Sequence, residues 1–132
     1  MKRLVLLLIP LLSSCAVIEA FNTPRFSANE YQHIVDIRTM AHTGTTVCKD
    51  ANKAGALANS VADKTQMFMM YEEHLYANTD AAKAAKSLNE ISQGLAKRYT
   101  SPPVPEVFCR IKFENIENAA NVVQHVIGNR PR

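Results

Sequence analysis

The sequence predicts an all-α protein, a small antiparallel four-helix bundle with one disulfide. Three observations predict it. From Ser27 onward the apolar residues recur at three- and four-residue steps, the period of a helix with one buried face, and no stretch alternates as a strand would. Short polar or proline-rich breaks separate the periodic segments, and short connections make antiparallel neighbours the default. Cys48 and Cys109 fall near the starts of the second and fourth segments. Those segments run the same way in an up-down-up-down bundle, so both thiols lie at one end.

The chain has 132 residues, enough for one small domain, and its start is of a different character from the rest. Met1-Lys2-Arg3 is positive, and Leu4 to Leu12 is a nearly unbroken apolar run of nine residues. As a helix that run is roughly 14 Å long, about half the hydrocarbon core of a bilayer, so it suits a signal peptide rather than a membrane span. Ser13 and Ser14 then lead into Cys15.

Leu12-Ser13-Ser14-Cys15 resembles the lipobox of bacterial lipoproteins: an aliphatic residue, two small ones, then cysteine. The resemblance covers these first residues only. It implies that residues 1–14 are a signal peptide cut before Cys15 and that the Cys15 thiol carries diacylglycerol with palmitate-like acyl chains. Ala16, where an aspartate would imply retention at the inner membrane, implies the outer membrane instead. Two or three acyl chains suffice for stable anchoring. The competing reading is an ordinary secretory signal with a cysteine nearby.

Loss of Lys2 and Arg3 leaves 13 of the 15 basic side chains against 12 acidic ones, so the mature domain is close to neutral. The charge gives no support to nucleic-acid binding. Residues 15–26 form a lipidated tether of at most about 36 Å, which keeps the domain near its membrane.

Residues 27–128 are expected to be the bundle. Ser27-Ala28-Asn29-Glu30 is a capping box, followed by Tyr31, Ile34, Val35 and Ile37 in a first helix over 27–42. His42-Thr43-Gly44-Thr45-Thr46 is expected to break it. In the second helix Val47, Ala51, Ala54, Ala58, Val61, Thr65, Phe68 and Leu75 form an alanine-rich stripe that ends near Asn78. Asn78-Thr79-Asp80 caps a third helix to Tyr99, with Ala81, Ala84, Leu88, Ile91 and Leu95 inside and Gly94 as its weak point. Thr100 to Pro105 is a loop, either a plain connector or a stiff proline knob. Pro105 opens a fourth helix with Val107, Phe108, Ile111, Ala119, Val122, Val123 and Val126 on its apolar side, stopped by Gly128. Residues 129–132, Asn-Arg-Pro-Arg, read as a frayed basic tail.

With Cys15 assigned to lipid, Cys48 and Cys109 are expected to pair in an oxidising periplasm. A loop of this length stabilises the fold by roughly 4 kcal/mol in the chain-entropy model.

Chemistry is sparse. Met67, Met70 and His74 lie at i, i+3 and i+7, and thioether plus imidazole suits Cu(I), although methionine also serves as core filler. Measured along the bundle from the disulfide end, His33, His125 and His74 are expected at roughly 14, 24 and 39 Å, too far apart to share an ion. His42 is placed in a loop at the end opposite His74. Glu72 and Glu73 are adjacent and diverge around the helix, which reads as a solvated face. No hydrolase elbow, zinc helix, phosphate loop or haem-attachment motif is present.

These features lead to a non-enzymatic outer-membrane lipoprotein without cofactor, on the periplasmic face, whose bundle binds an envelope protein partner. In plan it is similar to type II secretion pilotins, with no residue-level match; an exclusion lipoprotein is a second role of the same class. The alternative is a periplasmic metal or small-ligand carrier.

Overall fold

The computed structural model describes residues 24–132. The expected signal peptide, the expected lipidation of Cys15 and most of the expected 15–26 tether lie outside the described residues.

Four helices follow one another: α1 Ala28–Val47, α2 Ala51–Glu73, α3 Thr79–Tyr99 and α4 Glu106–Gly128. They pack in a ring, α1 against α2, α2 against α3, α3 against α4, and α4 back against α1, with no strand among the described residues. This is the antiparallel bundle that short connections favour. The disulfide is present: Cys48 and Cys109, 61 positions apart, are bonded with Cα atoms 5.7 Å apart.

The core is built from one stripe of each helix. Ile34, Ile37 and Ala41 of α1 meet Ala54, Ala58, Val61 and Phe68 of α2, Leu88 and Leu95 of α3, and Phe113, Ile116, Val123 and Ile127 of α4. Alanine at Ala54, Ala58, Ala85 and Ala120 brings helix axes close and leaves the volume to Phe113 and the branched aliphatics.

Four local expectations are corrected. α1 does not break at His42; it continues to Val47, and Cys48 is its C-cap rather than the start of α2. Gly44 is there for contact. A Cβ at that position would overlap the Phe113 ring, so the glycine lets α4 approach α1. The hydroxyls of Thr43 and Thr46 turn back onto carbonyls of the same helix, which satisfies them without ending it. α2 begins only at Ala51, where the Asp50 carboxylate caps the Lys53 amide at 3.1 Å, and ends at Glu73 before Leu75.

On α4 the buried stripe is Cys109, Phe113, Ile116, Ala120, Val123 and Ile127. Val107, Ile111 and Val122, expected inside, are exposed. Two apolar series run along this helix, and the one with unbroken four-three alternation is the one that packs.

The last correction is the tail. Residues 129–132 are docked. The Phe26 amide donates to the Pro131 carbonyl at 2.8 Å, the Arg132 guanidinium lies 5.1 Å from the Phe26 ring centre, and Arg130 is buried. Phe26 in turn packs on Tyr31, whose hydroxyl accepts from Gln124 of α4 at 2.8 Å.

Candidate functional site

Two features share the end of the bundle opposite the disulfide. The first is a groove of about 480 Å³ between α1 and α2, lined chiefly by His33 and Ile37 on one wall and Met67, Phe68, Met70 and Tyr71 on the other. Met67 is 69% exposed, Met70 52% and Tyr71 48%, so large apolar side chains of α2 stand beside the groove instead of filling it. Of these lining residues Ile37 and Phe68 are buried.

Met67 and Met70, read from sequence as core filler or, with His74, as soft-metal ligands, do not fill the core. Met67 and Met70 line the groove, whereas His74 is the C-cap of α2 and its Nδ1 pairs with the Met70 carbonyl at 2.7 Å. His33 takes its place. Because α1 runs on to Val47, His33 lies about 21 Å below the disulfide end and Met67 about 24 Å, at nearly one height. The shorter helix assumed from sequence had put His33 too near that end. His42 lies within α1, exposed, with Nδ1 3.2 Å from the Glu117 carboxylate. Among the described residues no three His, Cys, Asp or Glu side chains are grouped to hold a metal ion.

The second feature was missed from sequence. Glu30 from the first turn of α1, Glu72 from the last turn of α2, Asn78 from the α2–α3 connection and Arg130 from the tail converge out of water. Side-chain exposure is 2% for Glu30, 0% for Glu72 and 6% for Arg130. Arg130 donates through Nη1 to Glu30 Oε1 at 2.5 Å, and through Nη2 to Glu72 Oε2 at 3.2 Å and Asn78 Oδ1 at 2.7 Å. The Asn78 amide donates to Glu72 Oε2 at 2.6 Å and to the Glu72 carbonyl at 2.9 Å. Glu72 Oε1 is buried and has no hydrogen-bond partner among the described residues.

Local structure explains how each group arrives. In a capping box Glu30 would reach back to its own N-cap. Here the Ser27 hydroxyl still accepts from the Glu30 amide at 3.3 Å, but the Glu30 carboxyl is turned inward to Arg130. Asn78 likewise stands at the α3 N-cap without capping it, its amide committed to Glu72. Ala77 before it takes a left-handed φ of 54°, uncommon for a residue with a Cβ, and so turns the chain to present Asn78. Glu72 is inside and Glu73 outside because adjacent helical residues point about 100° apart.

Burial raises the Glu30 carboxyl from 4.5 to about 7, with the hydrogen bond to Glu72 and its charge acting the same way and Arg130 opposing. Burial and the two carboxylates also push the phenol of Tyr71, a groove-lining residue, up. Glu30 itself belongs to both cluster and groove, since it also lines the groove.

Chemically, the groove offers an apolar, polarisable surface with one imidazole, and the cluster offers a buried charge lock. Among the described residues no helix is long and apolar enough to cross a membrane. No family model matches the chain, and neither curated proteins nor solved structures give a match.

Proposed function

We propose that the chain is a non-enzymatic lipoprotein, held at the periplasmic face of the outer membrane through lipid on Cys15, whose bundle docks an envelope protein partner in the α1–α2 groove. The observation that supports it is the exposure of Met67, Met70 and Tyr71 along a groove next to a buried Phe68. Flexible thioethers adapt to an incoming surface, aromatic side chains anchor it, and an amphipathic helix of two turns suits a cleft between two helices. The lipobox-like Leu12-Ser13-Ser14-Cys15 supplies the address, and the neutral mature domain suits a protein partner better than a polyanion. Assembly in the manner of a pilotin and exclusion of a surface receptor both use such a docking bundle.

A photocrosslinking residue in place of Met70, with a second position at Asn121 on exposed α4 as control, tests this in cells carrying the full chain. One envelope protein should crosslink from position 70 and not from 121. Equal adducts from both positions, or none from either, would contradict the groove as a docking site.

One observation favours a second reading. His33, Met67 and Met70 line the same groove, a thioether and imidazole set suited to Cu(I). A carrier of a soft metal ion would withhold one equivalent of Cu(I) from a competing chelator, and His33→Ala would abolish that. Complete transfer of copper to the chelator would remove this reading.

A further inference from the structure

We propose that Glu30, Glu72 and Arg130 form a latch worked by one proton, which pins the C-terminal tail across the α1–α2 end of the bundle and frees it when that proton leaves. The inference does not depend on the docking reading.

The composition of the cluster leads to it. Two carboxyls and one guanidinium are sealed together, and each is at least nine-tenths buried. With both carboxyls ionised the site would hold a net negative charge in a place water does not reach, which is strongly unfavourable. With one proton between them the site is neutral. The unpartnered oxygen of Glu72 points the same way. Asn78 and Arg130 both serve Glu72 Oε2, so Oε1 lacks a donor unless a carboxyl hydrogen supplies one. Glu30 is the other carboxyl of the cluster, bonded to the same guanidinium as Glu72. A proton held between the two acids satisfies the orphan oxygen and balances the charge at once.

The surroundings leave that proton little other control. From α1 the cluster meets Glu30, with His33 one turn further along toward the groove; from α2 it meets Glu72 and Tyr71, with Lys64 at the far side of the groove. The α2–α3 connection contributes Asn78, and the tail contributes Arg130, among the described residues the one cation bonded to the carboxyls.

Loss of the proton to solvent leaves an uncompensated buried charge that is relieved only when water reaches the carboxylates. The segment most easily lifted to admit water is the least anchored one. Glu30 and Glu72 are fixed in helices, whereas Arg130 lies beyond the end of α4 and is tied back by few backbone bonds, chiefly Phe26 to Pro131. Release of the tail admits water to the carboxyls and opens the Glu30 end of the groove.

Amide-exchange protection of Phe26, corrected for intrinsic exchange, reads the tail directly in the full chain. From about pH 5 to pH 9 it should fall at least about tenfold, the fall running up to about pH 7 and levelling off above it, against a ceiling of about 300-fold set by the interval from 4.5 to about 7. Glu30→Gln keeps a neutral donor facing Glu72 and should make the protection flat across that range. Constant protection in the native chain would overturn the latch, and so would an unchanged fall in Glu30→Gln, which would assign the transition to histidine. If the variant does not fold, carbon-13 titration of the native side-chain carboxyls decides. A carboxyl midpoint between about 6 and 8 supports the latch, and its absence overturns it.

Discussion

Arg130→Ala separates a docked tail from a frayed one. The substitution removes the one guanidinium bonded to two carboxyls that are almost wholly out of water, and it orphans Asn78 Oδ1. Removing one partner of a buried ion pair costs about 3–5 kcal/mol when the charge left behind cannot escape. Here part of that cost is avoided at low pH, where the carboxyls take up protons, and again above about pH 7, where the latch has already freed the tail. The loss should therefore be larger near pH 6 than near pH 8. About 3 kcal/mol is a large share of the 5–15 kcal/mol typical of a small domain. For roughly 110 ordered residues it corresponds to a fall in Tm of about 13 °C. Urea unfolding followed by circular dichroism, with the disulfide intact, gives the difference at each pH. Arg132→Ala is the control: its guanidinium sits over Phe26 at 5.1 Å on an exposed residue and should cost no more than about 1 kcal/mol. An Arg130→Ala loss below about 0.5 kcal/mol at both pH values, the size of an ordinary surface change, would refute the buried cluster.

The native protein should lose stability as pH rises, because the folded Glu30 carboxyl stays protonated after its unfolded counterpart has ionised. That contribution is fully present below 4.5, is lost through about 7, and amounts to roughly 3 kcal/mol in urea midpoints taken across the window. Two glycines should respond in opposite directions to alanine. Gly94 is exposed inside α3 with open space at its Cβ position, so Gly94→Ala should stabilise by about 0.5–1 kcal/mol, while Gly44→Ala should destabilise by about 1–3 kcal/mol against Phe113, both read from thermal melts. Replacing Cys48 and Cys109 together by serine opens a loop of 61 positions and should cost about 4 kcal/mol in urea unfolding. Intact protein should show no free thiol at these positions until it is reduced.

The four helices and the disulfide were legible because their signals are local. Ser27 and Asn78 mark starts, the prolines around 102–105 mark a connection, and the alternating steps of α2 name a face without reference to any other segment. What local signals could not carry lies in contacts distant along the chain. Gly44 reads as a break until Phe113, from the far end of the sequence, is seen to need the space. Glu72 reads as solvated beside Glu73, and only Arg130 arriving from beyond α4 turns it inward. Gly128 reads as a stop followed by loose ends, yet the chain past it completes a buried site. Of the groove, Met67 and Met70 were legible as neighbours on one helix face, whereas His33 across from them was not, because the length given to α1 set its height. One signal for the cluster was available: a capping-box glutamate, a glutamate among core-spaced residues and an arginine just past a helix stop can close on one another at the same end of a bundle.

The most direct test of a lipid-anchored docking bundle is the mass of its mature N-terminal peptide, taken from the membrane fraction. It should begin at Cys15 and carry a diacylglycerol increment, with a further acyl mass if the amine is modified. A peptide that begins elsewhere, or an unmodified Cys15 in protein recovered free of membranes, would contradict the anchor and the outer-membrane role together.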